Sequence, residues 1–239
     1  MCDCIATSLP SATTRRRLLG GSAAFALLMS SAELLAKNSP LQDNRISPDV
    51  ALKRLVQGNA RYAAGRSTKR DFSVGRVARS SSQRPFAAIL SCADSRISPE
   101  LAFDQGPGDL FVVRLAGNFV NDDALASLEY GIKFLDIPLI MVLGHSGCGA
   151  VAAAIQLVQE NAQLPGHLPG LVDSIRPAVE SAQRRNPANL LVAATEQNVR
   201  FNVARLSTAA PILAQRVSSG VVGVAGGVYE LTTGKIAMV

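Results

Sequence analysis

The sequence has no tryptophan, two histidines, four cysteines and only 5% aromatic residues in its 239 positions. So few cysteines exclude a small disulfide-stapled scaffold. Charge is scarce too: 18% of residues are charged against 48% apolar, which excludes a disordered chain. A basic cluster is also missing from most of the chain. The formal net charge of +6 would point to an acidic partner if the basic residues were grouped, but the one compact group is Arg15-Arg16-Arg17 near the N-terminus. Neither an internal repeat nor a low-complexity linker interrupts residues 37–239, and that length suits one domain with a substantial core.

The N-terminal 36 residues read as an address. A polar segment ends in Thr14-Arg15-Arg16-Arg17-Leu18-Leu19, and an uncharged Ala/Leu/Gly/Ser-rich stretch runs from Leu18 to Ala32. That stretch is shorter than the roughly 20 residues a membrane-spanning helix needs. A basic start, a short apolar run and small residues after it make an export signal. Its paired arginines before Leu-Leu resemble the twin-arginine motif, with cleavage expected after Ala32 or Ala36. The alternative is an amphipathic arm or an uncleaved anchor, the one route to a membrane that the sequence offers. Removing residues 1–36 takes away three arginines, Asp3 and Glu33, leaving 21 basic and 16 acidic residues and a charge of +5. That charge is dispersed, so nucleic acid is not an expected partner. The expected location is an exported compartment, by default a bacterial periplasm, with a thylakoid lumen as the alternative. Cys2 and Cys4 leave with the signal, and Cys92 and Cys148 remain.

Residues 37–239 alternate helical and extended patterns. Ser47-Pro48 reads as a helix cap and first turn, followed by a face of Val50, Leu52, Leu55, Val56, Ala60 and Tyr62, with Gly65 as the stop. Short apolar runs at Phe86–Ser91, Leu110–Leu115, Pro138–Leu143 and Val221–Glu230 read as strands. Helices are expected at Ala124–Leu135, Gly149–Asn161, 171–183 and 188–207, with a hairpin at Thr233-Gly234 leading into Lys235–Val239. Alternation of this kind predicts an α/β fold, a mostly parallel central sheet covered by helices on both faces.

In such sheets, sites form beyond the carboxyl ends of the strands. Cys92-Ala93-Asp94-Ser95-Arg96 follows one expected strand and His145-Ser146-Gly147-Cys148 follows another. Two thiolates and an imidazole suit Zn²⁺, and three protein ligands leave a fourth position open. Cys148 precedes a helix, whose dipole favours a thiolate. Arg96, two residues after Asp94, can keep that carboxylate ionised and oriented. Three other readings compete: unrelated core residues, a disulfide between the two cysteines, and a Cys148 nucleophile activated by His145.

These motifs resemble those of the β-class carbonic anhydrases, whose Cys-x-Asp-x-Arg and His-x-x-Cys signatures match residues 92–96 and 145–148. The resemblance extends through Leu55–Gly65, Asp104–Asn118 and Val221–Gly234. It implies one Zn²⁺ per chain on Cys92, His145 and Cys148, an Asp94–Arg96 orienting dyad, and reversible hydration of CO₂ to bicarbonate and a proton. Gln83, Phe111 and Tyr130 match the CO₂-pocket residues of the open, plant-like type. The position that carries tryptophan in the type with a bicarbonate switch is Ile89 here, so no such switch is expected. In this family two chains share each active site, with the glutamine and tyrosine coming from the partner, so a homodimer or tetramer is expected. Two thiolates offset the metal's charge, which predicts activity that rises with pH. His167 is the one other histidine available as a proton shuttle, after solvent and buffer. A zinc hydrolase of COS or CS₂ and a non-catalytic bicarbonate-binding homologue are the alternative functions.

Overall fold

The computed structural model describes residues 45–239 apart from Val74 and residues 161–163, and these belong to one compact unit. The export signal expected at 1–36, with Cys2 and Cys4, lies outside the described residues. Eight helices and five strands make up the described chain: α1 (Pro48–Ala63), α2 (Arg76–Ser81), β1 (Ala87–Ser91), α3 (Pro99–Ala102), β2 (Leu110–Arg114), α4 (Asp122–Phe134), β3 (Leu139–His145), α5 (Gly149–Glu160), α6 (Leu168–Gln183), α7 (Leu190–Thr208), α8 (Ile212–Ser218), β4 (Gly223–Tyr229) and β5 (Ile236–Met238). None of these helices is long and apolar enough to cross a membrane.

Short polar side chains set the starts of the long helices. Ser47 Oγ accepts the Val50 amide at 3.3 Å before α1, Asn121 Oδ1 the Ala124 amide at 2.9 Å before α4, and Asn189 Oδ1 the Val192 amide at 3.1 Å before α7. The sheet order is β2-β1-β3-β4-β5; the first four strands are parallel and β5 pairs antiparallel with β4. Because side chains alternate along a strand, β1 and β3 feed two cores at once. Ala87, Ile89, Met141 and Leu143 pack with Ala51 and Leu55 of α1, while Ala88, Leu90, Ile140 and Val142 pack with α4, α7 and α8. A third cluster joins α5, α6 and the start of α7 to Cys92 and Cys148. The expected α/β architecture is therefore present, with both sheet faces covered.

Several expectations need correction. Val50 and Val56 are 52% and 47% exposed, because the buried stripe of α1 runs through Ala51, Leu55, Gly58 and Asn59 instead. Helix α6 begins at Leu168 rather than 171, since Pro169 sits in the first turn where a missing N–H removes no helical bond. Strand β3 runs on through His145, pairing it with Tyr229. The short helices α2, α3 and α8 were not expected; at 6, 4 and 7 residues they are too brief to show a helical period.

Candidate metal centre

Adjacent parallel strands carry the two motifs to one edge of the sheet. Ser91, at the end of β1, pairs with Leu143 of β3, so the turn holding Cys92 and the end of β3 holding His145 lie side by side. Gly147, at φ +64°, turns the chain sharply enough for Cys148 to come back beneath them at the start of α5. The ligating atoms of Cys92, His145 and Cys148 all lie within 4.8 Å of one another. All three residues are buried, at 4%, 0% and 1% exposure.

The donor set fits zinc. The two sulfurs are free thiols 4.0 Å apart. A disulfide requires about 2.05 Å, whereas two thiolates on a tetrahedral zinc with Zn–S bonds of about 2.3 Å stand roughly 3.8 Å from each other. His145 places Nδ1 2.9 Å from the Ser146 carbonyl, which assigns the proton to Nδ1 and leaves a lone pair on Nε2. That Nε2 is buried with no hydrogen-bond partner. A buried acceptor left unpaired beside two thiols is the arrangement that a metal ion completes.

Each sulfur has its own source of stabilisation. The Gly117 amide donates to Cys92 Sγ at 3.3 Å, and the Ala150 and Val151 amides at the start of α5 face Cys148. The hydrogen bond between the two sulfurs lowers the Cys92 pKa, and the same bond together with burial pushes the Cys148 thiol up. Burial presses the His145 imidazole toward its neutral form, but the Cys92 sulfur, the Ser146 carbonyl and Asp94 outweigh it and raise its pKa.

Asp94 is gripped by Arg96 in a fork, Nε to Oδ1 at 2.9 Å and Nη2 to Oδ2 at 2.7 Å, with the Arg96 amide also on Oδ1 at 2.9 Å. These bonds hold the carboxyl well below the usual carboxylate range. Its Oδ2 lies 3.8 Å from His145 Nε2, so the ionised carboxylate borders the metal position.

Sequence reasoning passed over the residues that brace these loops. Arg114, at the end of β2, donates to the carbonyls of Cys92 (3.0 Å), Asp94 (2.6 Å) and Ile97 (3.0 Å). Glu230 accepts the Ser146 hydroxyl at 2.9 Å, which fastens the turn after His145 to the end of β4. An arginine ending an apolar strand was the available signal for the first; the second had none.

The expected CO₂-pocket residues are not gathered at the cluster within one chain. Phe111 pairs with Ala88, four residues before Cys92, which is about 13 Å along a strand. It stacks instead on Tyr130 at 6.4 Å, and Tyr130 meets Phe134 at 5.3 Å, an aromatic row in which Tyr130 is 47% and Phe134 69% exposed. Gln83 lies exposed in the coil before β1, and His167 sits exposed at the cap of α6.

Comparison with known proteins agrees with this geometry. The carbonic anhydrase family profile matches residues 87–236. Carbonic anhydrase 2 of Mycobacterium tuberculosis is 36% identical over 193 residues, covering 80% of this chain and 93% of its own. The carbonic anhydrase of Mycolicibacterium smegmatis is 35% identical over the same lengths. Among solved structures, the β-carbonic anhydrase CcaA superposes with a TM-score of 0.59 at 28% identity, over 78% of this chain and 94% of that one. A tetrameric β-carbonic anhydrase of Sordaria macrospora shares the fold at a TM-score of 0.63 and 18% identity, over 91% and 98%. A parallel sheet that delivers Cys92, His145 and Cys148 to one buried point, within a sequence of this likeness, places the chain in the β-class carbonic anhydrase family.

Proposed function

We propose that the chain hydrates CO₂ reversibly to bicarbonate and a proton, with one zinc ion held by Cys92, His145 and Cys148. The observation that carries this reading is the buried, unpartnered His145 Nε2 facing two free thiols. Zinc held there supplies the Lewis acidity that brings the pKa of water toward neutrality. Asp94, kept ionised by the Arg96 fork, accepts a hydrogen bond from the reacting water and fixes its orientation. The same fork supports the open type of site, because a carboxylate held at both oxygens is not free to turn onto the metal.

Gln83, Phe111 and Tyr130 act, in this reading, in an assembly of at least two copies that share their sites. The row formed by half-buried Phe111 and exposed Tyr130 and Phe134 beside edge strand β2 supports such a contact, since an apolar edge of this kind is ordinarily covered. The Arg15–Arg17 run and the uncharged stretch after it support export to the periplasm, which cell fractionation would test.

Stopped-flow CO₂ hydration, with metal content measured on the same samples, tests the activity. The expected result is fast hydration, favoured at alkaline pH, that collapses in Asp94→Ala while zinc stays stoichiometric. A zinc-replete protein without CO₂ hydration refutes the proposal and turns attention to COS, CS₂ or simple bicarbonate binding.

A further inference from the structure

Three polar side chains of α7 point at the loop between β2 and α4, and the sequence motifs account for none of them. Asn198, 1% exposed, donates Nδ2 to the Gly117 carbonyl at 2.8 Å. Asn202 accepts the Val120 amide on Oδ1 at 2.8 Å, and its own Nδ2 bonds back to the Asn198 carbonyl at 2.8 Å. Arg205 donates to the Val120 carbonyl at 2.7 Å. Residues spaced by three and four lie on one side of a helix, so α7 presents these groups as a ladder along residues 117–120.

The top rung matters most, because the loop residue it holds is also a donor to a metal ligand. Gly117 N–H points at Cys92 Sγ at 3.3 Å while Gly117 C=O is held by Asn198. Gly117 has no side chain of its own to fix these peptide planes. It sits at φ +85°, and a Cβ there would stand 2.5 Å from Ile175 Cδ1 and 3.1 Å from Ala150 Cβ. Glycine is the residue least able to hold one conformation unaided. The restraint must come from outside, and Asn198 supplies it. A hydrogen bond to a metal-bound thiolate withdraws electron density from the sulfur, so the aim of this amide sets how strongly Cys92 donates.

We propose that Asn198 is a positioning residue of the metal centre: by holding the Gly117 carbonyl it aims the Gly117 amide at the Cys92 sulfur and thereby tunes that thiolate. The proposal rests on the zinc reading of the cluster given above. Its rival is that Asn198 only fastens α7 to the sheet, which would affect stability and leave the sulfur's electronic character alone.

The test uses the full-length chain with Co²⁺ in place of zinc, in the wild type, Asn198→Asp, Asn198→Ser and Ile132→Val. Asn198→Asp swaps the donor for an acceptor at constant size. Asn198→Ser leaves room for a water and serves if the first variant does not fold. Ile132→Val thins the core under α4 without removing any hydrogen bond of the ladder, and reports destabilisation alone. The expected result is a sulfur-to-cobalt charge-transfer band shifted to lower energy in the Asn198 variants and unmoved in Ile132→Val. A folded, metal-bound Asn198 variant with the wild-type band overturns the proposal. A wild type without any thiolate–cobalt band is a different failure, because it removes the zinc site itself and the inference with it.

Discussion

Asp104 offers a stability prediction that can be worked from the structure. Its side chain is 1% exposed and is held by Arg61 and Arg70 through ion pairs and by the Thr68 hydroxyl and amide at 3.0 Å. Burial alone would raise the carboxyl's pKa; the bonds from Arg70, Arg61 and Thr68 outweigh it and hold the group at about 2 against an ordinary 3.8. Asp104→Asn removes the charge while keeping the size, and asparagine accepts the residue's φ of +48°. A depressed acid contributes stability above its unfolded pKa and loses it as the pH falls through the folded one. The pH-linked part of the loss is thus about 2.5 kcal/mol at pH 7 and about 1.3 kcal/mol at pH 3. Arg61 and Arg70, 41% and 27% exposed, regain water when the charge goes, so the total should stay near the lower end of the roughly 3–5 kcal/mol seen when a buried pair is broken. Urea unfolding of both proteins, on metal-free samples at pH 7 and pH 3, measures the gap. A gap that is absent at pH 7, or equally large at both pH values, would refute the assignment of Asp104 as an ionised hub.

Two further outcomes are expected. Arg114→Met leaves three carbonyls of the Cys92–Ile97 turn without their donor, and misplacing the dyad should cut kcat by about 10–100-fold with zinc still bound, measured by stopped flow and metal analysis. Phe134→Ser removes the most exposed ring of the aromatic row, and light scattering should then show a smaller assembly together with lower activity; an unchanged mass would place the subunit contact elsewhere.

The candidate metal ligands stood out in the sequence because chemistry restricts such residues tightly. Few residue types bind zinc, and strand-then-loop punctuation alone places Cys92, His145 and Cys148 at strand ends. The strands were largely legible too, since buried parallel strands are short continuous apolar runs: β1, β2 and β4 lie within the stretches expected for them, while β3 runs past its expected end at Leu143 to His145. Helix faces were less so. In α1 a Gly58 that packs within 1.8 Å of the Phe103 carbonyl, measured from a Cβ built there, decides which side is buried, and hydropathy carries no trace of that contact.

By itself, then, the sequence determined the layered α/β architecture and the Asp94–Arg96 pairing, which follow from local periodicity and from residues two apart, and it offered Cys92, His145 and Cys148 as candidate donors at strand ends. Tertiary structure alone decided what meets across long sequence separations. It set the two sulfurs 4.0 Å apart across a gap of 56 residues, and it left His145 Nε2 without a partner. It also put Asn198 of α7 against Gly117 and Arg114 against three carbonyls of another loop. It further showed that Phe111 and Tyr130 meet beside edge strand β2 rather than at their own chain's Cys92–His145–Cys148 cluster. The physical reason is the same in each case. Such contacts depend on how strands register and helices dock, and a composition or a local period contains no information about a neighbour brought in from elsewhere in the chain.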